Sequence, residues 1–254
     1  MRFLCTNDDG ILAHGLDCLV KAAGQIGEVT VVAPDREQSA TSHSLTLHHP
    51  VRPVKRGERR WQVDGTPTDC VILGVQALMA EKPDFVLSGV NHGPNLGEDV
   101  LYSGTVAAAM EGLACGIPSI AFSFAGSVLR ADVSLLEHQV EFIATLLKHL
   151  TSLDRIPKDT LLNVNLPPLR GEKVEGVRLT RLGTRHFSDS LQKMLDPWGR
   201  EIYWIGGGQV HWTGTRDDSD IRAIQDGFVS VTPLHLDLTH HRMIADAGEW
   251  WRDL

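Results

Sequence analysis

Two adjacent carboxylates, Asp8 and Asp9, lie in the run Thr-Asn-Asp-Asp-Gly near the start of the chain. Neighbouring carboxylates repel each other and raise each other's pKa when they are unpaired, and a divalent cation removes that conflict. Because carboxylate oxygens are hard ligands, they favour Mg²⁺ or Mn²⁺ over zinc. The same run is also ordinary turn chemistry, in which Asp accepts local N–H groups and Gly takes a positive φ. Taken by itself, the pair predicts either a metal site or a simple turn.

Two further polar segments offer oxygen and N–H groups to a ligand. Residues 34–42 (Pro-Asp-Arg-Glu-Gln-Ser-Ala-Thr-Ser) carry several hydroxyls, Ser39 among them, that can ligate a metal weakly or cap a helix. Residues 88–97 (Ser-Gly-Val-Asn-His-Gly-Pro-Asn-Leu-Gly) are rich in Gly, which lets the backbone approach a ligand closely. The side chains of Asn91 and Asn95 in this segment are neutral metal ligands or phosphate donors.

The run Tyr-Ser-Gly-Thr at 102–105 opens a helix of small residues. Backbone N–H groups, the positive end of the helix and the hydroxyls of Ser103 and Thr105 together form a natural seat for a phosphate group. The run is not a P-loop, because no Gly-Lys-Ser/Thr follows it, and the chain has no GxGxxG dinucleotide fingerprint. The alternative interpretation is a glycine-rich loop that ends in an ordinary helix cap.

Strand and helix signals alternate over residues 1–150. The predicted strands and helices determine where these loops lie. Short apolar or β-branched runs predict strands at 2–6, 28–33, 60–64, 84–88 and 117–124. Helical spacing of apolar residues predicts helices at 16–23, 105–115 and 136–150. A further helix is predicted to begin at a Thr66 cap, with Ile72, Val75 and Met79 as its buried stripe. This rhythm predicts an α/β fold with a doubly wound, mainly parallel, Rossmann-like sheet. Ligands of such sheets bind beyond the carboxyl ends of the strands, where all three polar loops fall.

The rhythm changes in the C-terminal part of the chain. We predict a metal- and phosphate-binding core over 1–182, which includes strands at 161–166 and 177–182, and an extension over 183–254 with a hairpin, a returning strand at 227–234 and a C-terminal helix at 243–251. Five of the six tryptophans lie at or after Trp198. Clustered aromatic residues with weak core periodicity predict an oligomerisation or ligand surface, or else a small aromatic core beneath the hairpin.

The amino-acid composition excludes some classes of function for this protein. A charge of −8 argues against a protein that binds nucleic-acid duplexes, which needs a basic face, but it allows a small phosphorylated substrate. No apolar run reaches the roughly 18 residues that cross a bilayer, and the N-terminus has no signal-peptide pattern, so we expect a cytoplasmic protein without membrane contact. The four cysteines are widely spaced without a CxxC pair, which favours reduced, buried thiols.

Three motifs together resemble the SurE (survival protein E) family of nucleotidases. They are Thr-Asn-Asp-Asp-Gly at 6–10, Ala-Pro-Asp-Arg-x-x-Ser at 33–39, and the long block from Ser-Gly-Val-Asn at 88 to Met-Glu-Gly at 110–112. The similarity continues through Gly-Ile-Pro at 116–118 to Val-Ser-Val-Thr-Pro-Leu at 229–234 and Asp-Leu-Thr at 237–239, so it covers nearly the whole chain.

The resemblance implies one divalent metal ion, Mg²⁺ or Mn²⁺, on Asp8, Asp9, Ser39 and Asn91, and a phosphate pocket from Asn95, Ser103, Gly104 and Thr105. The implied activity is hydrolysis of nucleoside 5′- and 3′-monophosphates, with short-chain polyphosphate as a further substrate of some members. It also implies a homodimer or homotetramer that exchanges C-terminal segments. The chain departs from the family pattern at Ala40, where Gly usually follows the ligand serine. If that position needs a positive φ, Ala40 strains the loop and displaces Ser39.

Two mechanisms of phosphate release are consistent with these residues. Either a metal-activated water attacks the phosphorus, or Asp8 or Asp9 attacks directly and forms an aspartyl phosphate. Asp237 and His241 resemble a pair that the family places near the active site, where a protonated His241 would protonate the leaving alkoxide. A helix-start Asp with an exposed His is the alternative. A nucleotide- or phosphate-sensing module without turnover is the rival to the enzyme as a whole.

Overall fold

The computed structural model describes residues 1–126, 136–137, 139–153, 156–168, 174–187, 191–205, 210–212 and 216–246. Its strands are β1 (Arg2–Thr6), β2 (Glu28–Pro34), β3 (Pro53–Gly57), β4 (Arg60–Val63), β5 (Phe85–His92), β6 (Ser119–Phe124), β7 (Leu161–Leu166), β8 (Val177–Leu179), β9 (Arg185–Phe187), β10 (Leu191–Leu195), β11 (Glu201–Ile205), β12 (Val210–Trp212) and β13 (Val229–Leu234). Its α-helices are α1 (His14–Gly24), α2 (Pro67–Leu73), α3 (Gly104–Ala114), α4 (Val140–Thr151), α5 (Asp220–Gln225) and α6 (His241–Asp246).

A nine-stranded sheet in the order β3-β4-β2-β1-β5-β6-β7-β13-β8 forms the centre of the molecule. The strands from β4 to β7 in this order all run parallel. At the edges, β3 is antiparallel to β4 and β13 is antiparallel to β7. The predicted mainly parallel, doubly wound α/β sheet is therefore confirmed.

Helices cover both faces of the sheet because successive side chains of a buried strand point to opposite faces. Phe3 and Cys5 of β1 belong to the hydrophobic cluster that also contains the buried residues of α1 and α4. Leu4, between them in sequence, belongs to the cluster on the other face, which includes Cys70 and Val71 of α2. The chain between consecutive parallel strands must therefore cross one face or the other, and the parallel strands from β4 to β7 all end in loops at the same edge.

Helix α2 begins as predicted, but its buried face differs from the prediction. Thr66 and Asp69 form a reciprocal capping box. The predicted buried stripe of Ile72, Val75 and Met79 is confirmed in part: Val75 and Met79 are half-buried and pack against the core, whereas the fully buried residues are Cys70, Val71 and Gly74. A π-helical turn over Gly74–Leu78 follows α2 and shifts the helical phase, and a Cβ atom added at Gly74 would lie 2.7 Å from Leu4 Cδ2.

The C-terminal part returns to the central sheet. Strand β13 lies between β7 and β8, and β10 and β11 form an antiparallel hairpin whose described side chains are exposed. The strand predicted at 177–182 ends at Leu179. Helix α6 covers the first part of the helix predicted at 243–251, and residues 247–254 lie outside the described residues. The division into a 1–182 core and a 183–254 extension stays a prediction.

Asp220 ties this C-terminal part to the edge of the sheet where the loops converge. Its side chain is fully buried at the start of α5, where one carboxylate oxygen accepts the N–H of Gly97 at 2.8 Å. The other oxygen accepts the N–H of Gly183 at 2.8 Å. One buried carboxylate thus fixes the end of the 88–97 loop and the chain that leaves β8.

Candidate active site

The three polar loops meet at the carboxyl edge of the sheet because β2, β1 and β5 are neighbours in it. Backbone hydrogen bonds join the loops directly: the N–H of Gln38 donates to the carbonyl of Asp8 at 2.7 Å, and the N–H of His92 donates to the Asp9 carboxylate at 3.1 Å. The N–H of Ser42 donates to the carbonyl of Tyr102 at 3.2 Å. Segments far apart in sequence therefore form one connected surface.

Asp8 lies against the first turn of α3. The hydroxyl of Thr105 donates a short hydrogen bond to Asp8 Oδ1, and both side chains are buried. Glycine is required at 104 because an added Cβ atom would lie 2.8 Å from the Asp8 Cβ. The Gly-Thr pair thus brings a carboxylate to the positive end of a helix, where negative charge is favoured.

The two carboxyl groups are costly to ionise in this position. Burial raises the pKa of Asp8 to about 6, and Asp9 adds to the rise, while the hydrogen bonds from Thr105 oppose it. Burial also raises the pKa of Asp9, against the effect of His92. In the described part of the chain, the groups that act on these two carboxyls include no lysine or arginine. A divalent cation between the loops would supply the missing positive charge.

An open cavity of about 230 Å³ lies in front of Asp8. Its walls include four more of the predicted residues, Ser39, Asn91, Asn95 and Ser103. Asp9 does not line this cavity, because it faces the backbone of His92 instead. Among the described residues no cluster of three or more His, Cys, Asp or Glu side chains could hold a metal. A metal here therefore needs neutral oxygens beside the two carboxylates, and Ser39 and Asn91 are in position to supply them.

Asn91 and Ser39 differ in how they are held. The Asn91 amide donates to the carbonyl of Gly93 at 2.9 Å, which turns its oxygen away from that contact. Ser39 is exposed and donates its hydroxyl to Glu37 at 2.7 Å. The next residue, Ala40, has a φ of 58°, so this position does need the left-handed conformation that glycine adopts readily. Alanine there costs about 1 kcal/mol of backbone strain, beside the most exposed of the four predicted ligands.

The predicted phosphate seat lies at the start of α3. Ser103 is the N-cap, and its hydroxyl oxygen accepts the N–H of Val106 at 3.1 Å. Asn95 is buried, and its side-chain amide donates to the hydroxyl of Ser123 at 2.8 Å. Asn95 and Ser103 thus place the loop and the helix start in the wall of the cavity that Asp8 lines.

Asp237 and His241 do form a pair, and the flanking Leu236 and Leu238 line a second pocket that shares Ser103 with this cavity. The imidazole Nε2 contacts Asp237 Oδ2, and both side chains are largely exposed. Their geometry is not the predicted helical one, because α6 begins only at His241 and Asp237 accepts the N–H of Thr239. Hydrogen bonds from Thr239, and then from His241, lower the pKa of Asp237. Neither residue lines the cavity with Asp8.

Sequence reasoning missed three buried residues that surround Asn95: Ser123, Asn163 and Asn165. A signal for two of them was present in the Asn-Val-Asn run of β7, since asparagine is rare in buried strands and alternate residues share one face.

Comparisons with known proteins identify the family of the chain. The family model described as "Survival protein SurE" matches residues 3–189. The chain belongs to the SurE family. A curated relative from Gemmatimonas aurantiaca, named 5′-nucleotidase SurE, is 68% identical over 253 residues, which cover 100% of both chains. A relative of the same name from Vibrio cholerae is 45% identical over 100% of this chain and 98% of its own.

A solved structure shares the SurE fold. The crystal structure of the SurE protein from Aquifex aeolicus superposes with a TM-score of 0.84 at 44% identity and covers 97% of this chain and 98% of its own. The predicted family and fold are therefore confirmed. No described helix is long and apolar enough to cross a membrane.

We expect the buried charge of Asp8 to destabilise the metal-free protein above pH 6. The folded-state pKa of about 6 exceeds the ordinary value of 3.8, so the folded form binds the proton more tightly and gains stability as the pH falls from 6 towards 4. Asp8→Asn, which keeps an acceptor for Thr105, should raise the unfolding free energy at pH 7.5 by about 2–3 kcal/mol.

Thermal unfolding with a chelator present measures this difference, and the same pair of proteins at pH 4 is the internal control, because the difference should vanish there. Added Mn²⁺ should stabilise the wild type and not the variant. An Asp8→Asn protein less stable than the wild type in chelator at pH 7.5 contradicts the expectation.

Proposed function

We propose that this SurE protein is a metal-dependent phosphatase that releases phosphate from nucleoside 5′- and 3′-monophosphates. The observation that carries the proposal is the contact between Asp8 and Thr105, which joins a buried carboxylate to the start of α3. A metal ligand and a phosphate seat on neighbouring atoms are what phosphoryl transfer requires. The name 5′-nucleotidase SurE of a 68% identical relative supports a nucleotide 5′-phosphate as the substrate.

Asp8, Asp9, Ser39 and Asn91 would hold one Mg²⁺ or Mn²⁺ ion. Such an ion supplies positive charge to the phosphate oxygens and lowers the pKa of a bound water. The carboxylates fit this role because both carry raised pKa values, and Asp8 is buried at the wall of an open cavity. Oxygen ligands of this kind suit hard cations.

The residues around the start of α3 would bind the transferred phosphate. Asn95 and Ser103 line the cavity, and Gly104 and Thr105 form the first turn of the helix. The start of the helix and the Asn95 amide are held in place before the substrate arrives, so they would stabilise developing charge on the phosphate oxygens without reorganising. Water and an Asp8 or Asp9 carboxylate are the two candidate nucleophiles, and trapping of a labelled aspartyl phosphate distinguishes them.

We also infer that the enzyme is a cytoplasmic homodimer or homotetramer. The β10–β11 hairpin exposes Leu195, Trp198, Trp204 and Ile205, each with more than 60% of its surface accessible. Large apolar side chains on a two-stranded hairpin are typical of a surface that another subunit covers. Polyphosphate activity belongs to the same proposal, as a second use of the phosphate seat.

The enzyme should release inorganic phosphate from AMP in the presence of Mn²⁺, and a chelator should abolish the release. Asp9→Asn removes one charge from the metal site and should lower turnover at least 100-fold. Asp84→Asn is the matched control, since Asp84 precedes β5 at the opposite edge of the sheet, where it accepts the N–H of Arg2. Binding of AMP without phosphate release, across several metals and nucleotides, would show a sensor in place of an enzyme.

His241 would donate a proton to the leaving alkoxide, with Asp237 orienting its imidazole. Since neither residue lines the Asp8 cavity in a single chain, we connect this role with exchange of C-terminal segments between subunits. His241→Ala should lower turnover of AMP about 100-fold and leave p-nitrophenyl phosphate, which has a good leaving group, nearly unaffected.

The neighbouring His240→Ala is the control for this experiment, because the ring of His240 accepts the N–H of Met243 and does not contact Asp237. Equal turnover of AMP by the His241→Ala protein and the wild type would remove His241 from the mechanism.

A further inference from the structure

A buried polar row crosses the sheet behind the cavity. Asn91 of β5 lies opposite Ser123 of β6, which lies opposite Asn165 of β7, which lies opposite Ser230 of β13. Residues that are direct partners in adjacent strands share one face of the sheet. Ser123, Asn165 and Ser230 are fully buried, where an apolar side chain would be the usual occupant. Polar groups in such a position need a hydrogen-bonding task.

For Ser123 and Asn165 that task is to hold Asn95, whereas Ser230 pairs with the hydroxyl of Thr180. The side chain of Asn165 forms two hydrogen bonds with the Asn95 backbone. Its oxygen accepts the N–H of Asn95 at 2.9 Å, and its amide donates to the carbonyl of Asn95 at 3.0 Å. Asn163, two residues earlier on the same face of β7, donates to the same carbonyl at 2.8 Å. Ser123 accepts a hydrogen from the Asn95 side-chain amide at 2.8 Å.

These bonds fix both parts of Asn95. Its backbone is held by two strand side chains, so the loop cannot move in or out of the cavity without breaking three buried hydrogen bonds. Its amide is held by Ser123 through one hydrogen, which leaves the second amide hydrogen without a partner among the described residues. Asn95 lines the cavity beside Asp8 and Ser103, so that second hydrogen is the group available to a ligand.

We propose that Ser123, Asn163 and Asn165 are positioning residues that orient the Asn95 amide toward the substrate phosphate. The proposal rests on the proposed function, in which Asn95 binds phosphate, and it adds three residues that touch neither substrate nor metal. Preorganisation is the physical gain, because a donor that is already fixed does not lose rotational freedom when the phosphate binds.

Ser123→Ala is the direct variant, since it removes one hydroxyl and leaves the Asn95 amide free to rotate. It should raise the KM for AMP and the dissociation constant for inorganic phosphate about 10-fold, with little change in the Mn²⁺ concentration for half-maximal activity. Ser119→Ala is the matched control: Ser119 is also buried on β6, but its hydroxyl donates to the carbonyl of Ile117 at the far end of the strand. The control should keep wild-type values.

A double-mutant cycle shows whether Ser123 acts through Asn95. Asn95→Ala should weaken phosphate binding by itself, and Ser123→Ala added to it should have no further effect. Asn165→Ala, which releases the Asn95 backbone, is the second variant and should also lose its effect in the Asn95→Ala background. Each protein is checked by thermal unfolding, and phosphate binding is measured by calorimetry alongside AMP turnover.

The outcomes separate the two proposals. Additive losses in the cycle, or wild-type phosphate binding by both Ser123→Ala and Asn165→Ala, would overturn the positioning role while AMP hydrolysis by the wild type stands. A wild-type protein that binds phosphate without turnover would overturn the proposed function, and the cycle on phosphate binding would still decide the positioning role. A wild-type protein that neither hydrolyses AMP nor binds phosphate would overturn both.

Discussion

The contact between the carboxylate of Asp8 and the first turn of α3 is the constraint on which the rest of the site depends. It requires glycine at 104, a hydroxyl at 105 and a sheet in which β1 and the strand before α3 are neighbours. Burial next to a second carboxylate raises the pKa of Asp8, so the folded chain carries an electrostatic cost that a divalent cation would relieve. Strain of this kind is typical of functional sites, where stability is given up for binding or catalysis.

Two groups of strands in the sheet contribute to this site in different ways. Strands β2, β1 and β5 end in the loops that line or adjoin the cavity, whereas β6 and β7 contribute only buried side chains that hold one of those loops. Asp220 adds a third attachment through the N–H of Gly97. The polar loop is thus held by residues from the opposite half of the fold, and its geometry depends on how the whole sheet is assembled.

Local signals in the sequence were sufficient for most elements, whereas the roles of the cavity residues were implied by the resemblance to the family. The cap at Thr66, the apolar run of β1 and the small residues of α3 act over a few positions, so they can be read directly. Gly74, at the start of the π-helical turn after α2, instead lies against Leu4 from a distant strand, a contact that local signals do not show. The roles of Ser123 and Asn165 likewise depend on strand register, which the pattern of one chain does not specify.

Anomalous diffraction from crystals soaked in Mn²⁺ tests the central claim most directly. We expect one strong peak in the cavity, about 2–2.5 Å from oxygens of Asp8, Asp9 and Asn91 and next to the first turn of α3. Crystals with these side chains directed away from one another, or without a peak at that position, would contradict the metal site and the phosphatase built on it.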